Sequence, residues 1–270
     1  ASSPEDLQGC FDLLGGIDLV HHLAAINGTR WFHKAARRVI DVNINATLAT
    51  IDKALEWGAR YVLASSPEAF GDAKTMPLKE DNESVFPNSA QHQRFAYGAS
   101  KYLDEVAVYH AVREGLDGRI VRPFNGYGVR LMGDDYGQVV AMMFHAVRSQ
   151  QAIHVHGDGQ QTRSLTHVDD LVEGFYLAGH LDRGIKGQEM RGAAFNLGSQ
   201  EEVSMLTLAQ AVNEVVGSQA VDIVFSEGYH GDSSRRLPDC SNALEYLGWW
   251  PSILLSDGLR TVWSRLKGQP

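Results

Sequence analysis

The chain has 270 residues, of which 44% are hydrophobic and 21% are charged, so it can bury a sizeable core. Its 24 basic and 33 acidic side chains give a formal net charge of −9, which argues against nucleic acid or an anionic membrane as a partner. Two cysteines, Cys10 and Cys240, are too few for a disulfide scaffold, and residues 1–9 lack the features of a signal peptide. Because no apolar run has membrane-spanning length, we expect a cytoplasmic protein.

Short apolar runs alternate with amphipathic stretches along most of the chain. The alternation predicts strands at 17–23, 60–64, 118–123 and 153–156, and helices at 39–57, 95–115, 139–149 and 169–181. From about residue 183 the predicted elements are strands at 195–197 and 221–225 and helices at 207–216, 241–247 and 256–266. The expected fold class is therefore α/β, with a doubly wound parallel sheet in residues 1–182 and a smaller α/β lobe mainly in residues 183–270.

A tyrosine and a lysine in the predicted helix 95–115 are the first candidates for chemistry. Tyr97 and Lys101 are four residues apart, so they lie on the same helix face, one turn from each other. An ammonium at that distance can lower the pKa of a phenol and make it a base near neutral pH. Ser66 follows the strand 60–64, at the carboxyl edge where parallel sheets bind ligands. Alone, the tyrosine–lysine spacing is a weak signal, because an ordinary amphipathic helix also contains it.

Further sequence blocks occur around this pair in a fixed order. They are DLVHHLAA at 18–25, SSPEAFG at 65–71, RPFNGYG at 122–128, GDGQQTR at 157–163, VDDL at 168–171, and RLPD at 236–239 ahead of LGW at 247–249. With these blocks, the chain from residue 17 to its end resembles the extended short-chain dehydrogenase/reductase family. The resemblance is to its NAD-dependent nucleotide-sugar epimerase, dehydratase and decarboxylase branch, which has a Rossmann-like sheet.

The resemblance implies a role for each matching residue. Tyr97 would be the general base for the sugar 4-hydroxyl, Lys101 would hold the nicotinamide ribose, and Ser66 would polarise the developing 4-ketone. The implied cofactor is NAD, with NADP left open, and its further contacts would be Leu23, Ala24, Ala25, Asn43 and Pro123. The implied substrate is a nucleotide-diphosphate sugar, held by Asn125, Arg163 and Arg236.

The start of the chain departs from the family pattern. Family members open with a strand, a Gly-x-x-Gly-x-x-Gly turn and a helix, and the 270 residues contain no such turn. The resemblance implies that about three strands and two helices of the Rossmann half are missing, together with the residue that selects NAD over NADP. The strand 17–23 would then be a sheet edge. A fragment, a fold completed by a partner and a genuinely shortened protein all remain open.

Pro67 and Glu68 bear on the reaction. Dehydratases of this branch place Asp-Glu after the catalytic hydroxyl residue, and Pro67 removes the first acid, which disfavours dehydration. Glu68 is retained, as in nucleotide-sugar decarboxylases, where the arginine matching Arg236 assists; it equally fits a structural acceptor. We expect a C4 epimerase acting through a transient 4-ketone, with a decarboxylase of the UDP-glucuronate type as the alternative. A non-catalytic nucleotide-sugar binder is the rival from another class.

The eleven histidines do not form a metal-binding pattern. His21 and His22 are adjacent in a strand and point to opposite faces, whereas His154 and His156 share a face without a third ligand nearby, so we expect no metal. Thr166 or Asp169 is the expected N-cap of the helix 169–181, and Asp169 and Asp170 are expected to face the positive end of its dipole.

A homodimer is the last expectation from the resemblance. Family members typically pair the helices that match 39–57 and 95–115 in a four-helix bundle. Ala46, Ala107 and Ala111 are the small residues expected on the exposed faces of these helices, where they would allow close approach.

Overall fold

A computed structural model describes residues 4–91, 95–131, 138–227 and 235–267. The helices are α1 (Pro4–Leu14), α2 (Thr29–Lys34), α3 (Ala36–Trp57), α4 (Phe95–Glu114), α5 (Val139–Arg148), α6 (Val168–His180), α7 (Met205–Val216) and α8 (Leu255–Lys267). The strands are β1 (Leu19–His22), β2 (Arg60–Ala64), β3 (Gly118–Pro123), β4 (Gly126–Tyr127), β5 (Ile153–His156), β6 (Thr162–Ser164), β7 (Thr166–His167), β8 (Ala194–Leu197), β9 (Glu202–Ser204) and β10 (Ile223–Ser226).

The main sheet consists of four parallel strands in the order β1-β2-β3-β8. Leu19 pairs with Arg60, Tyr61 with Gly118, and Ile120 with Ala194. The strand β1 lies at one edge of this sheet, as the sequence predicts. Smaller pairs are formed by β5 with β10, β4 with β7, and β6 with β9.

Successive side chains of each strand point to opposite faces of the main sheet, and helices cover both faces. Tyr61 and Leu63 belong to the cluster that packs under α3 and α4. Val62, between them, belongs to the cluster under α6. The doubly wound α/β fold class predicted from the sequence is confirmed.

A second apolar core is built from chain on both sides of residue 182. It joins α5 and β5 to α7 and α8, and the Phe144 ring stacks on Trp263 at a centroid distance of 5.6 Å. Conversely, Leu197 of β8 and Trp249 pack in the cluster on the α6 face of the main sheet. Residues on each side of position 182 thus contribute to both cores.

Several local features differ from the sequence expectations. The helices α1 and α2 were not predicted, and the N-cap of α6 is His167, whose Nδ1 accepts the Asp169 N–H at 3.3 Å. Asp170 is buried, and its carboxylate accepts the N–H groups of Ser252 and Ile253, each at 3.1 Å, instead of only facing the helix dipole.

The small residues of the predicted dimer face also differ in their exposure. Ala111 is buried, with 3% of its surface exposed, because it packs against the sheet. Ala46 and Ala107 are half-buried.

In the ranges that the structure describes, every helix is too short or too polar to cross a membrane.

Candidate active site

The turn after β2 brings a serine to the carboxyl edge of the sheet. Ser66 has an extended backbone (φ −161°, ψ 152°), and its Oγ accepts the Glu68 N–H at 3.2 Å, which caps the short 3-10 turn Pro67–Phe70. Pro67 occupies the first position of this turn, where a backbone N–H is not needed and the fixed φ of proline suits the geometry. The proline therefore has a structural explanation in addition to its effect on acid catalysis.

A glycine allows α4 to approach this turn closely. At Gly98 an added Cβ would lie well inside 3.0 Å of the Glu68 carbonyl oxygen, so no other residue fits without a backbone shift. The close approach brings Tyr97, the neighbour of Gly98 in the first turn of α4, into a side-chain hydrogen bond with Ser66. The structure thus joins the two residues that the sequence assigned to the substrate hydroxyl.

Tyr97 lies in an apolar environment, which disfavours ionisation of its phenol. Its side chain is buried, and the Phe32 ring stacks on it at 4.8 Å. Burial raises the pKa of Tyr97 above its usual range; the Ser66 hydrogen bond opposes this, and the charges of Glu68 and Asp104 add to it. The effect of Lys101 on this pKa stays a prediction.

Lys101 has a carboxylate partner of its own on α4. The Lys101 ammonium is 3.2 Å from Asp104 Oδ2, and both side chains are buried. A carboxylate in contact with the ammonium compensates its charge, which weakens its effect on the tyrosine. Lys101 does lie on the predicted face of α4.

A buried ionic cluster contacts Ser65, the residue before Ser66. Arg122 forms a bidentate pair with Glu105, with Nε to Oε1 at 2.8 Å and Nη2 to Oε2 at 2.7 Å, and its guanidinium lies 4.6 Å from the centre of the Phe70 ring. Ser65 donates to the same carboxylate. Sequence reasoning missed this cluster, although Glu105 follows Lys101 by four residues and therefore shares its buried helix face.

The predicted cofactor-contact residues after β1 form an apolar loop. Leu23 is 63% exposed, and Ala24 and Ala25 are exposed as well. Asn43 lies within α3 and is fully buried; its Oδ1 accepts the Ile26 N–H at 2.7 Å. Its Nδ2 donates to the Ile26 carbonyl at 3.3 Å and to the Ser100 hydroxyl at 3.1 Å. Asn43 therefore anchors the loop, with its amide engaged inside the protein.

Pro123, a predicted cofactor contact, ends β3, and the residues predicted to hold the diphosphate lie just after β3 and within β6. Pro123 is half-buried. Asn125 has a positive φ of 38°, and its Nδ2 donates to the Ser164 carbonyl at 2.9 Å. This bond ties Asn125 to β6, which carries Arg163; the Arg163 Nη1 donates to the Thr162 carbonyl at 2.8 Å.

Arg236, the other arginine predicted to bind the substrate, contacts the turn Pro67–Phe70. Arg236 is buried, and its Nη2 donates to Glu68 Oε2 at 3.1 Å and to the Gly71 carbonyl at 3.2 Å. The structure therefore brings Arg236 and Glu68 together beside Ser66.

Among the described residues there is no group of three His, Cys, Asp or Glu side chains that could hold a metal ion.

Comparison with known proteins gives consistent matches. A sequence profile described as the NAD dependent epimerase/dehydratase family matches residues 2–198. The chain is 35% identical over 246 residues to UDP-glucuronic acid decarboxylase 1 of Arabidopsis thaliana, and the alignment covers 90% of this chain. The chain spans about half of that relative, 53% of its length.

Two solved structures superpose on nearly all of the chain. UDP-glucose 4-epimerase from Thermotoga maritima, solved with UDP-glucose, has a TM-score of 0.84 and 25% identity over 98% of this chain and 82% of its own. UDP-glucuronic acid 4-epimerase from Bacillus cereus, in complex with UDP-glucuronic acid and NAD, has a TM-score of 0.83 and 25% identity over 95% of this chain and 77% of its own. From the profile match over well more than half of its length, together with this shared fold, the chain belongs to the NAD dependent epimerase/dehydratase family.

Proposed function

We propose that the chain oxidises C4 of UDP-glucuronate to a ketone and that the C6 carboxylate then leaves as CO2. The observation that carries this proposal is the contact between Glu68 and Arg236, at 3.1 Å, next to the hydrogen-bonded pair of Ser66 and Tyr97. The relative from Arabidopsis thaliana that carries the name of a UDP-glucuronic acid decarboxylase supports it. Decarboxylation, which was the alternative reaction in the sequence analysis, is therefore preferred to epimerisation.

The carboxyl edge of the sheet fits a dinucleotide. Lys101 supplies a buried ammonium one helical turn from Tyr97, where it would hold the hydroxyls of a ribose. Leu23 and the two alanines after it present apolar surface at the end of β1 that a planar ring would cover. A bound NAD would supply the hydride acceptor for C4 at this edge.

The oxidation of C4 needs a general base and a hydrogen-bond donor next to the C4 oxygen. Tyr97 Oη would take the proton of the C4 hydroxyl as the hydride leaves C4, and the Ser66 hydroxyl would hydrogen-bond to the developing carbonyl oxygen. These two groups already contact each other, so one oxygen atom of the sugar can reach both.

The second step follows from the chemistry of a 4-ketone. The carbonyl at C4 is β to the C6 carboxylate, so the electron pair of the breaking C5–C6 bond passes into the carbonyl as CO2 leaves. A proton is then added at C5, the hydride returns to C4, and Tyr97 returns its proton to the C4 oxygen. Arg236 would pair with the substrate carboxylate, and Glu68 would pass a proton taken up from solvent to C5.

Epimerisation at C4 is the second candidate, favoured by the superposition on the two 4-epimerases. It uses the same first step, after which the ketone turns in the site and receives the hydride on its other face. It has no need of a second carboxyl group, so Glu68 would then be a structural partner of Arg236.

Tyr97→Phe tests the shared first step. We expect kcat to fall about 10²–10⁴-fold with little change in UDP-sugar affinity, because the base is lost and the ring is kept. The assay follows CO2 release and 4-epimer formation from UDP-glucuronate with NAD. Tyr102→Phe, on the exposed side of the same helix, is the matched control and should behave like the parent. Full activity of Tyr97→Phe would refute the mechanism. If the parent, supplied with a Gly-x-x-Gly-x-x-Gly segment, binds UDP-glucuronate without turnover, the non-catalytic binder is established instead.

Glu68→Gln separates the two reactions. If the protein is a decarboxylase, CO2 release should fall by about two orders of magnitude, because the proton donor is lost while the shape is kept. The control is Glu83→Gln, which removes an exposed carboxylate on the following loop. Formation of the 4-epimer at nearly the parental rate by Glu68→Gln would establish epimerisation instead.

We also propose that the protein is a homodimer through α3 and α4 and that it is cytoplasmic. Large apolar side chains are exposed on both helices, among them Leu48 at 44%, Leu103 at 47% and Val106 at 46%. Burial of these faces against a second copy would form a four-helix bundle. The two cysteines, one exposed and one buried and neither in a disulfide, suit a reducing compartment.

A further inference from the structure

Arg236 is carried by a segment that lies outside the helices and strands and is held by a second loop. The Leu78 N–H donates to the Leu237 carbonyl at 2.8 Å, and the Asp239 N–H donates to the Leu78 carbonyl at 2.7 Å. These two hydrogen bonds form an isolated parallel bridge between Leu78 and Pro238. The position of the Arg236 backbone therefore depends on the position of the loop that contains Leu78.

A single buried asparagine joins both sides of this bridge to the main sheet. Asn196 belongs to the edge strand β8 and is 0% exposed. Its Nδ2 donates to the Leu78 carbonyl at 2.9 Å and to the Asp239 carbonyl at 3.3 Å. Its backbone N–H donates to Glu80 Oε1 at 2.8 Å, which fixes the same loop two residues further on. Asn196 thus attaches the two loop segments to a rigid strand.

The other contacts of these segments lead to the candidate site or to the surface. Arg122 Nη1 donates to the Glu80 carbonyl at 3.1 Å, so the loop is also fixed to the ionic cluster that contacts Ser65. On the other side of Arg236, the preceding residue Arg235 pairs with Glu202, but the Arg235 side chain is 49% exposed and water screens this attraction. The buried amide of Asn196 is therefore the stronger restraint on the segment, because loss of its bonds leaves a buried carbonyl without a donor.

We propose that Asn196 is a positioning residue that holds the Arg236 guanidinium beside Glu68, where it meets the C6 carboxylate of UDP-glucuronate. Asn196 acts through Arg236, and in this way it contributes to the selection of a uronate over a neutral hexose. The inference rests on the proposed function, which assigns the substrate carboxylate to Arg236. Its distinguishing consequence is a change in substrate preference, which a general loss of stability would not produce.

The first measurement compares the affinities for UDP-glucuronate and UDP-glucose, which differ only in a carboxylate or a hydroxymethyl group at C6. Calorimetric titration of the 270-residue chain gives both dissociation constants. Asn196→Leu keeps a similar volume and removes the side-chain donor. We expect it to reduce the preference for UDP-glucuronate about tenfold or more, while the affinity for UDP-glucose changes little, because only the carboxylate needs the placed guanidinium.

Asn213→Leu is the matched control. Asn213 of α7 also anchors a loop, since its Nδ2 donates to the Val221 carbonyl at 2.8 Å and its Oδ1 accepts the Val221 N–H at 3.1 Å. This variant should keep the parental preference even if it is less stable. A folded Asn196→Leu protein with the parental preference overturns the inference, and so does an equal fall in affinity for both sugars.

Arg236→Gln shows which of the two proposals has failed. If it abolishes the preference for UDP-glucuronate and Asn196→Leu does not, the inference is rejected and the proposed function stands. If the parent shows no preference, the proposed pairing of Arg236 with the substrate carboxylate is rejected. The exchange of backbone amides, which needs no substrate, then decides the inference.

Hydrogen exchange of the Asp239 amide is the second measurement, and circular dichroism checks that each variant folds. In Asn196→Leu this amide should exchange about tenfold or more faster than in the parent, because its segment is no longer attached to β8, whereas Asn213→Leu should leave it unchanged. Asn196→Ser is the second variant, since its smaller side chain admits water beside the two carbonyls. If neither variant folds, the parent decides: slow exchange of the Asp239 amide supports the inference, and exchange at the rate of an unstructured chain overturns it.

Discussion

Glu80 is a single residue whose ionisation opposes folding. Its Oε1 accepts the Asn196 N–H at 2.8 Å, at the edge of β8 that faces away from β3. Burial raises the pKa of Glu80 to about 7; the Asn196 and Arg122 contacts oppose this shift, and the charge of Asp239 adds to it. Because the pKa is higher in the folded than in the unfolded protein, the contribution to stability is complete below about pH 4.5 and is lost as the pH rises through about 7.

We therefore expect Glu80→Gln to stabilise the protein at pH 8. The amide keeps an acceptor for the Asn196 N–H and carries no charge, so the free energy of unfolding should rise by about 1–3 kcal/mol at pH 8 and change little at pH 5. Urea denaturation at the two pH values measures this difference. Glu83→Gln, an exposed carboxylate close in sequence, is the control. An equal change in stability at both pH values would contradict the argument.

Among single residues, local sequence patterns bring together some members of the candidate site and cannot reveal others. Ser66, Tyr97 and Lys101 could be predicted because a strand end and one helical turn position them locally. The pairing of Lys101 with Asp104 depends on burial, which the helical spacing alone does not reveal. The anchoring of Ile26 by Asn43 and the contact of Arg236 with Glu68 join residues 17 and 168 positions apart. No local pattern contains such contacts.

At the scale of elements, the contact between α4 and the turn after β2 controls the site. Gly98→Ala should force the two backbones apart, because the added Cβ meets a carbonyl oxygen that cannot rotate away. We expect a loss of about 1–3 kcal/mol in stability, as for other overpacked sites, together with a lower kcat as Tyr97 moves from Ser66.

Thermal denaturation and the UDP-glucuronate assay test this expectation. The matched control is Gly9→Ala in α1, where an added Cβ meets nothing within 4 Å and alanine should be neutral or stabilising. A Gly98→Ala protein as stable and active as the control would mean that the close approach is not needed.

The elements that the sequence predicted are those with a buried face. The strands β2, β3 and β5 begin and end at the predicted residues, because β2 and β3 have short apolar centres and β5 alternates two buried apolar residues with two histidines. The helix α1 was not predicted, although Leu7, Phe11 and Leu14 have helical spacing. Its last residues, Leu13 and Leu14, are 86% and 69% exposed, so the end of this helix buries no apolar face. The helix α2 has six residues, too few to show helical periodicity.

For the whole molecule, the apolar faces of α3 and α4 predict the oligomeric state. If they form the proposed interface, the double variant Leu103→Glu/Val106→Glu should convert a dimer to a monomer, because four like charges would meet in one bundle. Sedimentation velocity measures the mass. The control is Leu244→Glu, which adds a charge at a leucine that is 48% exposed and outside both helices. A parent chain that sediments as a monomer would contradict the proposal.

The way the chain passes between the two cores also determines when each can form during synthesis. Phe144 lies near the middle of the chain and stacks on Trp263, near its end, and β3 acquires its neighbour β8 only after the intervening residues 126–182 have been made. Neither core can be complete on a nascent chain that stops at residue 182. Folding therefore depends on contacts of high sequence separation, which favours slow folding in which both cores form together.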